Sequence, residues 1–251
     1  MSNRSERADV FLVHRGYANS RAEAQAAIRA GCVEADGKTV LKASQRLDES
    51  MTIHYQTAHP YVSRGGIKLA AALDRFQLSP DGRVCLDIGA STGGFTQVLL
   101  ERGAKRVYAV DVGHGQMAGK IAGDARVKSL EGVNARDLTA AIIPDAPQAI
   151  VADVSFISLK LALPAAFALA ASDCWAVLLV KPQFELGRWG VPRTGVVKDD
   201  AAREQSLSEV TAWVRGQGWQ FIDSMESPIA GGDGNREYLL AARKVEVGKR
   251  R

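Results

Sequence analysis

The residues with the clearest chemical potential begin with Asp87-Ile-Gly-Ala-Ser-Thr-Gly-Gly-Phe95. This glycine-rich loop follows the apolar run Val84–Ile88 and precedes a stretch carrying Val98, Leu99 and Leu100, so it reads as a strand, a loop and a helix. Glycines there let backbone amides approach a ligand, and the loop leads into the positive end of a helix. The spacing is G-x-x-x-G-G, which is not the G-x-G-x-x-G of dinucleotide binders and disfavours a nicotinamide-dependent oxidoreductase. Asp111 ends the next apolar run, placed to accept hydrogen bonds from a ribose. Asp153 and Lys181 end two more such runs, and open α/β sheets take ligands at the carboxyl ends of their strands. Glu237 immediately precedes another run, and Lys68 lies in the helix that enters this region. Taken singly, an Asp or Lys at a strand end is more often salt-bridged or solvated than reactive.

The elements that must position these groups follow from periodicity. A helix with Leu69, Leu73 and Phe76 leads into strand candidates at 84–88, 107–111, 127–130, 149–153, 175–181, 219–223 and 238–242, with helical segments between most of the early ones. That alternation predicts a parallel α/β sheet, seven-stranded with a late antiparallel strand. Residues 7 to about 57 read differently. Asp9–Val13 suggests a short helix stopped near Gly16, and Ser20-Arg-Ala-Glu23 is a capping box opening a second helix that Gly31 ends. Asp36-Gly37 between 32–35 and 38–40 signals a hairpin, and a strand at 51–55 closes the module.

Composition excludes several classes. The chain has 251 residues, 46% hydrophobic and 24% charged, as in ordinary globular proteins. The longest greasy stretch, 161–171, is too short to span a bilayer, and no signal-peptide core opens the sequence. Three widely spaced cysteines support neither a disulfide framework nor a thiolate zinc site, so a cytoplasmic location is the default expectation. The net charge of +4 is carried entirely by residues 243–251, with five basic side chains against Glu246. Bulk charge therefore makes no case for nucleic acid; local placement has to.

The glycine loop resembles the first motif of the S-adenosylmethionine-dependent methyltransferases of the ribose-2′-O subgroup. Tyr61-Val-Ser-Arg-Gly-Gly-Ile-Lys68, Asp153-Val-Ser-Phe-Ile-Ser158, Val180-Lys-Pro-Gln-Phe-Glu185 and Asn235-Arg-Glu-Tyr238 resemble the TlyA family, haemolysin-A-like ribosomal RNA ribose methyltransferases. The resemblance covers nearly the whole chain, and its N-terminal module is similar to the RNA-binding domain of ribosomal protein S-four. It implies a seven-stranded Rossmann-like class I methyltransferase sheet, from which the strand order is taken, beside a small α+β RNA-binding domain. The expected boundaries are 1–57 for the RNA-binding domain, 58–66 for a linker, 67–243 for the methyltransferase domain and 244–251 for a basic tail.

The resemblance also implies a site. Lys68, Asp153, Lys181 and Glu237 match the Lys–Asp–Lys–Glu pattern of 2′-O-methyltransferases. Gly89, Ser91, Gly93 and Phe95 would wrap the methionine part of S-adenosylmethionine, with Asp87 in the same group and Asp111 on its ribose. Asn134 would meet the adenine edge, although a loop Asn is as often a turn former. A ribose hydroxyl is a weak nucleophile, so the enzyme must align it and remove its proton. Alignment contributes about 7–11 kcal/mol in the best cases, and a positioned base roughly 10²–10⁴-fold. An ordinary lysine, with a pKa of about 10.4, is protonated at neutral pH. The expectation is that Lys181 is the base, Lys68 is the neighbouring cation that favours its neutral form and orients the hydroxyl, and Asp153 and Glu237 fix both amines. The assignment between the two lysines rests on the resemblance.

For the substrate, Arg15, Arg21, Arg29 and Arg64, with Lys38 and Lys42, could present cations to phosphates of ribosomal RNA or ribosomal subunits. The bland alternative is a solvated surface, since the first sixty residues hold 8 basic against 7 acidic side chains. Phe156 and Phe184 could stack on a base or simply pack. The histidines show no ligand spacing, so no metal is expected, and the chain is expected to act as a monomer. Two rival classes remain: a pore-forming haemolysin, and a non-catalytic RNA-binding assembly factor. Neither explains two lysines placed beside two carboxylates.

Overall fold

The computed structural model describes residues 5–18, 20–186, 195–231 and 234–245, so most of the expected basic tail lies outside the described residues. Chain contacts divide into two compact units, Met1–Pro60 and Tyr61–Arg251. The division falls inside the stretch 58–66 expected as a linker. Tyr61 and Val62 pack on the core of the second unit, and the Val62 amide donates to Gln97 Oε1 at 2.7 Å.

The first unit holds β1 (Glu6–Arg7), α1 (Ala8–His14), α2 (Arg21–Arg29), β2 (Val33–Ala35), β3 (Lys38–Thr39), β4 (Arg46–Leu47) and β5 (Ile53–Tyr55). Ser20 caps α2 by accepting the Glu23 amide, as the capping box requires. The β2–β3 hairpin turns on Asp36 and Gly37 at φ 50° and 73°, the two left-handed residues of a type I′ turn. The β1–β4 pairing has no signal in the sequence, because two-residue strands carry no periodicity. Phe11, Leu12, Ala24, Ile28, Val33, Val40 and Leu47 form the core. Buried Asp9 ties α1 to α2 by accepting from Arg7, Arg21 and Gln25. Those bonds, that from Arg7 foremost, hold its carboxyl far below the usual carboxylate range against the opposing effect of burial.

In the second unit, α3 (Gly65–Phe76) leads to β6 (Val84–Ile88), α4 (Gly94–Glu101), β7 (Arg106–Asp111), α5 (Gly119–Ala122), β8 (Val127–Glu131) and β9 (Ala149–Ala152). There follow α6 (Leu159–Ala162), α7 (Pro164–Leu169), β10 (Trp175–Val180), α8 (Pro182–Glu185), α9 (Asp200–Gly216), β11 (Trp219–Glu226) and β12 (Tyr238–Lys244). The expected seven-stranded sheet is present, in the order β11-β12-β10-β9-β6-β7-β8. Only β12 runs against the others.

Both faces of the sheet are covered, and side chains alternate between them. Along β10, Trp175, Val177 and Leu179 pack with α3 and α4, while Ala176, Leu178 and Val180 pack with α6, α7 and α9. The same parity holds in β6, β9 and β12. It carries past the strand ends, and this is what builds the site.

Candidate active site

The parallel strands β6, β9 and β10 end on one edge of the sheet, and the reversed β12 begins there. Odd-numbered positions in all four face α3. Asp153 and Lys181 follow β9 and β10, and Glu237 precedes β12, so each continues that odd series. The side chains therefore converge on Lys68, which α3 holds on the same face. Lys181 Nζ lies 2.6 Å from Asp153 Oδ1 and donates to Ser155 Oγ at 2.9 Å. Lys68 Nζ donates to Glu237 Oε2 at 2.5 Å in a pair whose side chains are only 8% and 3% exposed. Lys68, Asp153, Ser155 and Lys181 border one cavity of about 280 Å³, with Glu237 behind Lys68. Gly231 packs directly against the Glu237 carboxylate.

A second cavity of about 490 Å³ lies on the other side of the glycine loop. Ile88, Val110, Val133 and Ala162 give it apolar walls, and Asp111, Gln116 and Asn134 add polar groups. Gly89, Ser91, Asp153 and Ser155 border both cavities. Gly89 sits at φ 81°, and a Cβ there would collide with the Asp153 carbonyl oxygen and fall 2.9 Å from its carbon. The loop thus needs glycine to lie this close to the β9 end. Asp111 accepts the Ser91 amide at 2.8 Å and the Gly113 amide at 2.7 Å, which fixes both the loop and its own carboxylate.

The sequence matches the FtsJ-like methyltransferase family over residues 61–244 and the S4 domain over 6–53. It is 44% identical over 94% of its length to the 16S/23S rRNA (cytidine-2′-O)-methyltransferase TlyA of Mycobacterium tuberculosis, covering 89% of that protein. Hemolysin A of Brachyspira hyodysenteriae is 42% identical over 93% of this chain and 98% of its own. A solved structure from Streptococcus thermophilus, described as a hemolysin, superposes with a TM-score of 0.77 at 39% identity, covering 96% of this chain and 89% of that one. The chain belongs to the TlyA family of FtsJ-like methyltransferases.

Within this methyltransferase the residues expected at the cofactor fall into two groups. Gly89, Ser91, Asp111 and Asn134 line the larger cavity, and Phe95 borders the smaller one. Asn134 also caps a single turn, its Oδ1 accepting the Arg136 amide at 3.1 Å, so only its amide NH₂ is left for a ligand. Gly93, at φ 92°, opens α4 against Ile121 and lines neither cavity. Asp87 also lines neither. It is fully buried, following the same parity toward α4, where Thr96 Oγ1 donates to its Oδ2 at 2.6 Å and its Oδ1 has no partner. Its side chain ties the end of β6 to the first turn of α4. Gln116, Ser155 and Val112 border the cavities without having been singled out; none stands on a recognisable periodicity.

The arginines expected at RNA phosphates also separate. Arg21 pairs with buried Asp9 at 2.8 Å, and Arg15 pairs with Glu49, so neither brings an unpaired charge to a phosphate. Arg29 is exposed, and exposed Arg64 borders the smaller cavity at the start of α3. Phe156 is 91% exposed at φ 65°, its ring 5.2 Å from that of Phe184. Among the described residues, no group of three or more His, Cys, Asp or Glu is arranged to hold a metal ion.

Asp87 gives this methyltransferase a pH dependence. Burial, with Asp153 and Asp111 nearby, pushes its carboxyl up to about 7, while the Thr96 bond opposes the shift. The folded value lies above the unfolded one, so the contribution favours folding fully below the unfolded value and is lost as pH rises through about 7. Asp87→Asn should therefore gain stability over the wild type by up to about 2–3 kcal/mol more at pH 8 than at pH 5. Parallel denaturant titrations at the two pH values measure this; a constant difference between the proteins would refute it.

Proposed function

We propose that this chain transfers a methyl group from S-adenosylmethionine to the ribose 2′-hydroxyl of a cytidine in ribosomal RNA, with Lys181 accepting the hydroxyl proton. The observation that carries the reading is the Lys181 amine, held 2.6 Å from Asp153 where the two cavities adjoin. The larger cavity suits a nucleoside: its volume is within the range of small-molecule sites, its walls are apolar, and the Asp111 carboxylate can accept from ribose hydroxyls. The close approach of Gly89 to the β9 end leaves backbone, not side chain, at the junction. S-adenosylmethionine bound there would supply a methyl carbon already activated by positive sulfur.

What remains for the protein is to orient the substrate oxygen and move one proton. Lys181 faces the smaller cavity, and Asp153 and Ser155 hold the ammonium that forms when it takes the proton. Lys68, anchored by Glu237, supplies a second N–H⁺ donor to the same cavity and orients the hydroxyl. Exposed Phe156 offers a ring face to an unstacked base, and Arg64 and Arg29 offer cations to phosphates. Ribosomal RNA as substrate follows the names of the relatives and the S4 domain, and implies work in the cytoplasm.

A membrane-lytic role is the second reading, favoured only by the hemolysin names. No helix among the described residues is long and apolar enough to cross a membrane. The test incubates isolated ribosomal subunits with the purified chain and methyl-labelled S-adenosylmethionine, then maps 2′-O-methyl marks. The expected result is a discrete mark on a cytidine. Label on a base atom, or none on either subunit beside cofactor-independent lysis of liposomes, would overturn the proposal.

A further inference from the structure

We propose that Ser155 is a positioning residue for this reaction, fixing the direction in which the Lys181 amine presents its lone pair to the substrate hydroxyl. The inference rests on the reading of Lys181 as proton acceptor. An amine able to take a proton is neutral, with two N–H bonds and one lone pair. With one acceptor engaged, the second N–H and the lone pair can exchange the two remaining staggered positions on Nζ, so the lone pair has two alternative directions. Here there are two acceptors, Asp153 Oδ1 at 2.6 Å and Ser155 Oγ at 2.9 Å. With both N–H bonds engaged, the lone pair is left a single tetrahedral direction.

Sheet register makes this contact a built one. β9 and β10 pair in parallel with Ala152 opposite Leu178, and the same offset carried three residues further places Ser155 opposite Lys181. The segment bearing Ser155 is also tied down beyond it. Ser158 Oγ and the Leu159 amide donate to Glu185 at 2.6 and 2.8 Å, and Glu185 lies one turn after Lys181 on α8. Lys181 and Glu185 thus clasp the 153–159 segment at both ends, and the backbone makes its turn between them at Phe156, φ 65°. Such a residue at positive φ is strained and persists because both anchors hold it.

The test compares full-length Ser155→Ala and Ser155→Thr with the wild type on isolated ribosomal subunits. Ser155→Ala should lower kcat about 10–30-fold while leaving the RNA KM and the Kd for S-adenosylmethionine within about twofold. Ser155→Thr keeps the hydroxyl and should recover kcat to within about threefold of wild type. An unchanged kcat in Ser155→Ala, a loss matched by weaker cofactor binding, or a threonine variant no better than alanine would each overturn the positioning role. Lys181→Ala and Lys181→Arg distinguish the two levels. If both keep the wild-type rate, the reading of Lys181 fails; if both are inactive while Ser155→Ala is normal, only the role of Ser155 fails.

Discussion

Lys181→Arg should lower kcat by roughly 10³-fold while the Kd for S-adenosylmethionine stays within about twofold of wild type. A guanidinium places a permanent positive charge beside Asp153 but cannot give up its proton in a protein, so it cannot act as the base. Lys181→Ala should be as inactive for a different reason, since it removes the amine and leaves Asp153, with its side chain only 23% exposed, without its ion partner. The pair of variants separates proton transfer from charge. If charge alone mattered, arginine would recover activity and alanine would not. Single-turnover rates with labelled cofactor, alongside Tm for both proteins, measure the difference; an arginine variant within threefold of wild type would end the case for Lys181 as base.

The second large effect is expected at Gly89. Gly89→Ala should destabilise the second unit by about 2–4 kcal/mol, from left-handed strain together with overpacking, and weaken S-adenosylmethionine binding at least tenfold. The new methyl group meets the backbone carbonyl of Asp153, which no rotamer change can move aside. Relief requires the loop to lift from the end of β9, which opens the junction where Asp153 and Ser155 stand. Gly82 is the control: its φ of 67° is similarly left-handed, but a Cβ there meets nothing within 4 Å. Gly82→Ala should cost only the strain, about 1–2 kcal/mol, and leave cofactor binding unchanged. Calorimetric titration and thermal melts of the two variants decide the matter. Equal effects at both positions would mean that the contact with Asp153 contributes nothing.

Much of the fold was legible because its signals are local. The apolar runs that became β6 to β12, the capping box at Ser20 and the Asp36-Gly37 turn each declare themselves within a few residues. The glycine loop and Asp111 were legible for the same reason, and the structure bonds one to the other through the Ser91 amide. The short β1–β4 pair was not, since two residues have no period to read. The division between the units, at Pro60, likewise depends on which core Tyr61 and Val62 join, a choice made at long range.

The sequence alone determined the seven strands of the large sheet, the glycine loop and which charged residues stand at the strand ends. It did not determine which way those charges point. Asp87, Asp153, Lys181 and Glu237 share a face only because four strands pair in one register and side chains alternate along each. A one-residue slip would turn any of them to the opposite face. Within that shared face, the packing of α4 draws Asp87 to Thr96, away from both cavities, while α3 brings Lys68 to Glu237. Partners distant along the chain likewise turned Arg15 and Arg21 into ion pairs. Residue type and spacing are properties of the chain, but the direction of a side chain and the identity of its partner are fixed by the packing of distant segments, and only the tertiary structure supplies them.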